Sequence, residues 1–220
     1  MRNIRIAIEG HATVSGLWLA PENPRACLVL AHGAGAGMAH ASMTAIAEGL
    51  KERGVATLRF QFPYMERGSK RVDSPKVAQA TVRAAVSEAR KHSGKLPLFA
   101  GGKSFGGRMT SQAQAEAPLE GVRGLVFFGF PLHPAGAPSV ERAAHLQDIA
   151  IPMLFLQGTN DALADVALLR PALAKLGRRA TLKLVADADH SFHVPKRSGR
   201  TNAEVMREVL DFATEWMRVA

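Results

Sequence analysis

Residues 27–31 read Cys-Leu-Val-Leu-Ala, five apolar positions without a break, which predicts a short strand buried on both faces. Ahead of it, residues 3–8 and 12–19 alternate apolar with polar or small side chains, the pattern of two antiparallel strands with one buried face. Behind it, Met43, Ile46, Ala47 and Leu50 recur at helical spacing and predict a helix over about 41–53, stopped by Gly54. The alternation then repeats. A strand at 55–62 leads to Pro63 and a polar loop, and Ser74-Pro75 opens a helix at about 75–92. A strand at 96–101 precedes a helix at about 105–116. A strand at 122–130 runs into a proline-rich loop, 131–138, and a short helical piece. A strand at 153–157, a helix at about 164–176 and a strand at 180–186 follow. A final helix over about 201–218 carries Val205, Val209, Phe212 and Trp216 on one face. Strands alternating with amphipathic helices predict the α/β class, a mostly parallel central sheet with helices on both faces. In such sheets functional residues lie just past the carboxyl ends of the strands. No repeat, low-complexity tract or linker interrupts the pattern, so residues 1–220 read as one domain.

Composition narrows the function classes. The chain is 47% hydrophobic and 21% charged, enough apolar material for one core and too much for a disordered chain. A single cysteine, Cys27, excludes an internal disulfide framework and suits a reducing compartment. The amino-terminal residues alternate basic with apolar and lack the continuous apolar stretch of a secretory signal. No segment is long and apolar enough to span a bilayer, so the expected location is the cytoplasm, with no membrane partner. The net charge of +9 invites a nucleic-acid reading, but the basic residues are scattered and the densest cluster, Lys196-Arg197-Ser198-Gly199-Arg200, is loop-like. Aromatics make up only 6% of residues and form no RNA-binding motif, so no nucleic-acid partner is expected. The charge is read as solubility plus attraction for anionic substrates.

The chemistry concentrates at strand ends. Gly102-Lys103-Ser104-Phe105-Gly106 follows a strand, opens a helix and matches G-x-S-x-G, the nucleophile elbow. Its sharp turn lifts the serine hydroxyl above the sheet edge, and the flanking residues must be small to let the backbones approach. Gly102-Lys103-Ser104 also resembles the end of a phosphate loop, but that motif needs a glycine where this chain has Pro97. His32-Gly33-Ala34-Gly35-Ala36-Gly37 fails as a dinucleotide fingerprint, because Met38 stands at the third glycine position. As an oxyanion loop it fits, with the N–H groups of Ala34 and Phe105 as the two donors. A serine nucleophile needs a base and an orienting acid, in the chain order Ser, Asp or Glu, then His. Asp161 follows the strand at 153–157 and His190 follows the strand at 180–186. Asp165 is the alternative acid, expected inside the next helix, and His193 is the rival base, further from its strand end. A metal site from His190 and His193 with Asp187 or Asp189 is permitted by spacing, yet no other His or Cys pair joins them. Cys27 reads as core and His32 as a structural residue bonded to nearby loop backbone. Met38, Phe62, Tyr64, Phe105 and Phe130 are expected to wall the site, and Arg59, Arg67 and Arg108 to attract an anionic group.

Taken in order, HGAGAGM, FPYME, GGKSFGG, QGTND and DADHSFHVPKRSGR resemble the compact α/β-hydrolases related to dienelactone hydrolase. More narrowly they resemble a mostly uncharacterised bacterial hydrolase family that includes testis-expressed protein thirty and subunit three of the NSL histone-acetylating complex of animals. The resemblance runs from about residue 27 onward. It implies an α/β-hydrolase sheet and a triad of Ser104, Asp161 and His190. Dienelactone hydrolases carry a cysteine nucleophile where this chain has Ser104, so their lactone chemistry is not carried over. The short stretch between residue 130 and Asp161 leaves no room for a sizeable cap, which implies an open site and argues against bulky lipids. The expected activity is a serine esterase or thioesterase on a small acyl substrate, through an acyl-enzyme and without cofactor or metal. The competing expectation is a non-catalytic interaction protein that kept the fold.

Overall fold

The computed structural model describes all 220 residues. Eight strands form one sheet: β1 (Arg2–Ile6), β2 (Val14–Leu19), β3 (Ala26–Ala31), β4 (Val55–Phe60), β5 (Leu98–Lys103), β6 (Val122–Phe128), β7 (Met153–Gly158) and β8 (Ala180–Val185). Their spatial order is β1-β2-β4-β3-β5-β6-β7-β8. The β1–β2 and β2–β4 pairs are antiparallel and every other pair is parallel. The helices are α1 (Ala41–Glu52), α2 (Pro63–Glu66), α3 (Pro75–Ser93), α4 (Phe105–Glu116), α5 (Val166–Ala174) and α6 (Asn202–Val219).

The period of two along each strand divides the core into two layers. On β3, Leu28 and Leu30 face a layer shared with Met43, Ile46 and Leu50 of α1 and Val205 and Val209 of α6. Cys27, Val29 and Ala31 face the opposite layer, which also holds Ala78 and Val82 of α3, Met109 of α4 and Leu169 of α5. The helix starts follow their sequence signals. Ser74 caps α3 ahead of Pro75, and Thr201 and Glu204 form a capping box on α6. No helix is long and apolar enough to cross a membrane.

Several boundaries differ from expectation. The polar loop after Pro63 is instead the single turn α2, which proline opens and which the Asp73 carboxylate holds by accepting the Tyr64 N–H at 2.9 Å. The strand expected to stop at 101 continues through Gly101 and Gly102 to Lys103, because both glycines let neighbouring backbone press close. A Cβ at Gly102 would lie 2.9 Å from the Ala31 carbonyl carbon. Asp165 is not within a helix turn but caps α5, accepting the Ala167 N–H at 2.7 Å. Residues 129–152, between β6 and β7, hold only a 3₁₀ segment, Glu141–Asp148, so no cap domain is inserted there.

Cys27 is fully buried in β3, and burial pushes its thiol up to about 12. Iodoacetamide is expected to leave the native chain unmodified at neutral pH and to alkylate it only in denaturant, read by intact mass. Alkylation of the folded chain would contradict that burial.

Candidate active site

The elbow is set by two close approaches of backbone. The amino-terminal turn of α4 packs against the end of β3 so tightly that a Cβ on Gly106 would lie 2.5 Å from the His32 carbonyl oxygen. Between the two glycines, Ser104 holds φ 52° and ψ −118°, a left-handed conformation that is costly for any residue with a side chain. Ser104 occupies the N-cap of α4, yet its hydroxyl makes no capping bond and is left free, half-buried, at the helix's positive end.

Asp161 lies three residues past β7, with its side chain fully buried. Its Oδ2 accepts from His190 Nδ1 at 2.7 Å and also from Gln157 Nε2, while Oδ1 accepts the Leu163 N–H at 2.8 Å. An ionised carboxylate only accepts, so the Nδ1 proton is fixed toward Asp161 and the lone pair of His190 sits on Nε2. That Nε2 is buried and has no hydrogen-bond partner, Ser104 included. Ser104 and His190 nevertheless line the same cavity, about 960 Å³ in volume. The rival residues are engaged elsewhere. Asp165 caps α5, and its backbone N–H donates to His133 Nε2 at 2.9 Å. His193 is exposed, with Asp189 3.7 Å away. No group of three or more His, Cys, Asp or Glu side chains is arranged around a common point for a metal.

Ala34 lines the cavity, and its N–H enters no internal hydrogen bond. Phe105 is the first residue of α4, where helical N–H groups lack intrahelical partners. The loop carrying Ala34 is fastened from below. His32 is fully buried, its Nδ1 lies 2.8 Å from the Gly33 carbonyl, and its Nε2 accepts the Phe62 N–H at 3.1 Å. Tyr64 Oη accepts the Gly35 N–H at 2.9 Å.

Burial lowers His32 from 6.5 to about 4, so the folded protein keeps it neutral where the unfolded chain takes up a proton. The sign follows by linkage. This contribution to stability is complete above pH 6.5 and is lost as pH falls toward 4, up to about 3 kcal/mol. Urea unfolding at pH 7 and pH 4.5 measures it, and His32→Gln is expected to flatten that dependence.

The expected walls are corrected. Phe62, Tyr64 and Phe130 are fully buried, and neither they nor Met38 and Phe105 line the cavity. Phe62 and Phe105 stack edge to face at 5.3 Å, and Phe130 meets Phe155 at 5.7 Å, all beneath the site. Proximity to a strand end in sequence did not tell which way each ring turns. The walls come from α1, α6 and the His190 loop instead: Ala41, Ala45, Phe192, Ala203, Met206 and Leu210. The three arginines also fall outside it. Arg59 is buried and donates to the Met38 carbonyl and Thr44 Oγ1, and Arg67 pairs with Asp73. Arg108 does not line the cavity. Two residues near the site had no role assigned from sequence: Gln157, which steadies Asp161 and gave no signal, and Lys103, whose only signal was a failed likeness to a phosphate loop.

A family model described as an α/β hydrolase domain matches residues 24–218. The chain belongs to the α/β hydrolases. Solved structures reproduce the fold of this α/β hydrolase along nearly its whole length. A dienelactone hydrolase from Anabaena variabilis is 22% identical with a TM-score of 0.79, covering 98% of this chain and 95% of its own. A serine hydrolase homologue from Coxiella burnetii is 18% identical with a TM-score of 0.77, covering 96% of each chain. A serine hydrolase from Xanthomonas campestris, described as lacking a lid, is 21% identical with a TM-score of 0.75, over 98% of this chain and 94% of its own. At such identities the likeness is one of fold, and the chemistry of this α/β hydrolase has to be argued from its own residues.

Proposed function

We propose that this α/β hydrolase cleaves acyl esters or thioesters with Ser104 as nucleophile, His190 as base and Asp161 as the orienting acid. The observation that carries the reading is the buried, unpartnered Nε2 of His190, its tautomer set by Asp161, in one cavity with a serine on a strained elbow. Ser104 Oγ attacks the acyl carbon as its proton passes to His190 Nε2. The N–H groups of Ala34 and Phe105 stabilise the oxyanion of the tetrahedral intermediate. That intermediate collapses with transfer of the proton to the leaving alcohol or thiol, leaving an acyl-serine. Water then gives its proton to His190, attacks the same carbon and releases the carboxylic acid, with Ser104 recovering its proton from His190.

The cavity's shape supports an acyl group larger than acetyl. From Ser104 it continues between α1 and α6, with Ala45 on one side and Ala203, Met206 and Leu210 on the other. Glu52 and Arg53 stand at the carboxyl end of α1, and Arg207 stands in the second turn of α6. The two helices close on each other at Gly49, where an added Cβ would run into the Leu210 side chain, so the open stretch of α1 from Ala41 to Ala45 is about 6 Å long at the helical rise, room for a short linear chain. The test is a panel of p-nitrophenyl esters and acyl thioesters from acetyl to dodecanoyl. Hydrolysis is expected, with kcat/KM rising with chain length and then falling, and with His190→Ala losing at least about 10³-fold. A folded protein that turns over none of the panel overturns the reading in favour of a binding role.

A further inference from the structure

We infer that Lys103 is a positioning residue that ties the loop bearing His190 to the nucleophile elbow, an inference that rests on the catalytic reading above. Lys103 is the last residue of β5 and the immediate neighbour of Ser104. A lysine at a strand end normally extends its ammonium to water. Here the residue is only 9% exposed, and Nζ donates to the His190 carbonyl oxygen at 2.9 Å. It also lies 5.8 Å from the centroid of the Phe192 ring. Burial lowers the ammonium's pKa, while the carboxylates of Asp161 and Asp189 oppose that shift. A cation kept in so dry a place is compensated by what it holds.

What it holds is the carbonyl of the base itself, which the loop does not hold. Residues 187–193 are stapled internally: Asp189 Oδ1 accepts the N–H groups of Ser191 and His193, and the Asp189 N–H donates to the His193 carbonyl. The segment carries two non-glycine residues at positive φ, Asp187 at 60° and Phe192 at 62°, so its shape is imposed against local preference. No backbone N–H donates to the His190 carbonyl, and Lys103 Nζ is its partner. Gly129 also comes close, since a Cβ there would lie 3.2 Å from the same carbonyl oxygen. The imidazole is therefore fixed at two points, its ring by Asp161 and its backbone by Lys103. The second anchor springs from the strand that presents the nucleophile. Base and nucleophile thus share one rigid reference, and a displacement of about 1 Å between them costs on the order of a hundredfold in rate. This gives the lysine of Gly102-Lys103-Ser104 a purpose unrelated to phosphate.

The test compares wild type, Lys103→Met and Lys103→Arg. Three readouts are followed: ester kcat and KM, the rate of labelling by a fluorophosphonate, and hydrogen exchange of residues 187–194. Lys103→Met, which keeps the length and drops the donor, is expected to lower kcat and labelling rate about tenfold to a hundredfold with KM within threefold. Exchange should quicken in 187–194 and not in the sheet. Lys103→Arg, which keeps a charged donor, should recover most of the rate. The inference is overturned if Lys103→Met keeps kcat and labelling within threefold, or if exchange in 187–194 is unchanged. Loss of global structure in Lys103→Met with no rate defect in a folded Lys103→Leu, which also lacks the donor, would overturn it as well. If the wild type is neither labelled nor active, the catalytic reading fails, and the exchange arm alone still decides whether Lys103 anchors the loop.

Discussion

Ser104→Ala is expected to lower kcat by at least about 10⁴-fold while leaving the protein as stable as before. The size of the loss follows from the division of labour. Without the hydroxyl no acyl-serine forms, and the remaining donors and the cavity can only assist a slow direct attack by water. The small effect on stability is just as specific. The Ser104 side chain caps nothing, so its removal orphans no buried group. Its backbone, at φ 52°, is strained for serine and alanine alike, and glycine alone relieves it. Ser104→Gly is therefore expected to be inactive yet more stable than wild type by about 1 kcal/mol, measured by urea unfolding. A serine retained for folding would give the opposite sign.

Gly106→Ala carries the largest expected effect on stability. In an exposed helix this change would stabilise by about 1 kcal/mol, since alanine is the better helix former. Here the added methyl would meet the His32 carbonyl oxygen at 2.5 Å and the Ala31 carbonyl carbon at 2.6 Å, both backbone atoms at the end of β3. Neither can yield without moving the strand or the helix. Steric cost outweighs propensity, and a net loss of about 3 kcal/mol or more is expected. For a chain of this size that lowers Tm by roughly 6–12 °C. Activity should fall further than stability does, because the same shift moves the Phe105 N–H and Ser104 relative to the loop of Ala34. Thermal melting together with ester turnover checks both.

Much of this was legible in the sequence because each signal had a local cause. Continuous apolar runs such as 27–31 can only be satisfied between two covering layers, and the glycines at 102 and 106 announce close backbone contact. Asp161 and His190 could be nominated because both follow strands, and in a parallel sheet those ends meet at one edge. What stayed hidden depended on side-chain direction and on partners distant in sequence. Phe62, Tyr64 and Phe130 sit near the edge, but their rings turn down into the core. Arg59 reads as a surface charge until α1 and the backbone just before it enclose it. The cavity walls lie on α1 and α6, 160 residues apart in sequence, where alanines carry no chemical signature. Lys103 meets the His190 carbonyl across 87 residues, a pairing that no spacing rule foresees.

The proposed mechanism stands or falls with Ser104 as a nucleophile activated by His190. The most direct measurement is reaction of the folded protein with a fluorophosphonate probe, followed by mass spectrometry of the peptides. A single adduct on Ser104 is expected, formed at a rate that collapses in His190→Ala and absent in Ser104→Ala. A folded protein that stays unlabelled, or that carries its adduct elsewhere with Ser104 free, would contradict it.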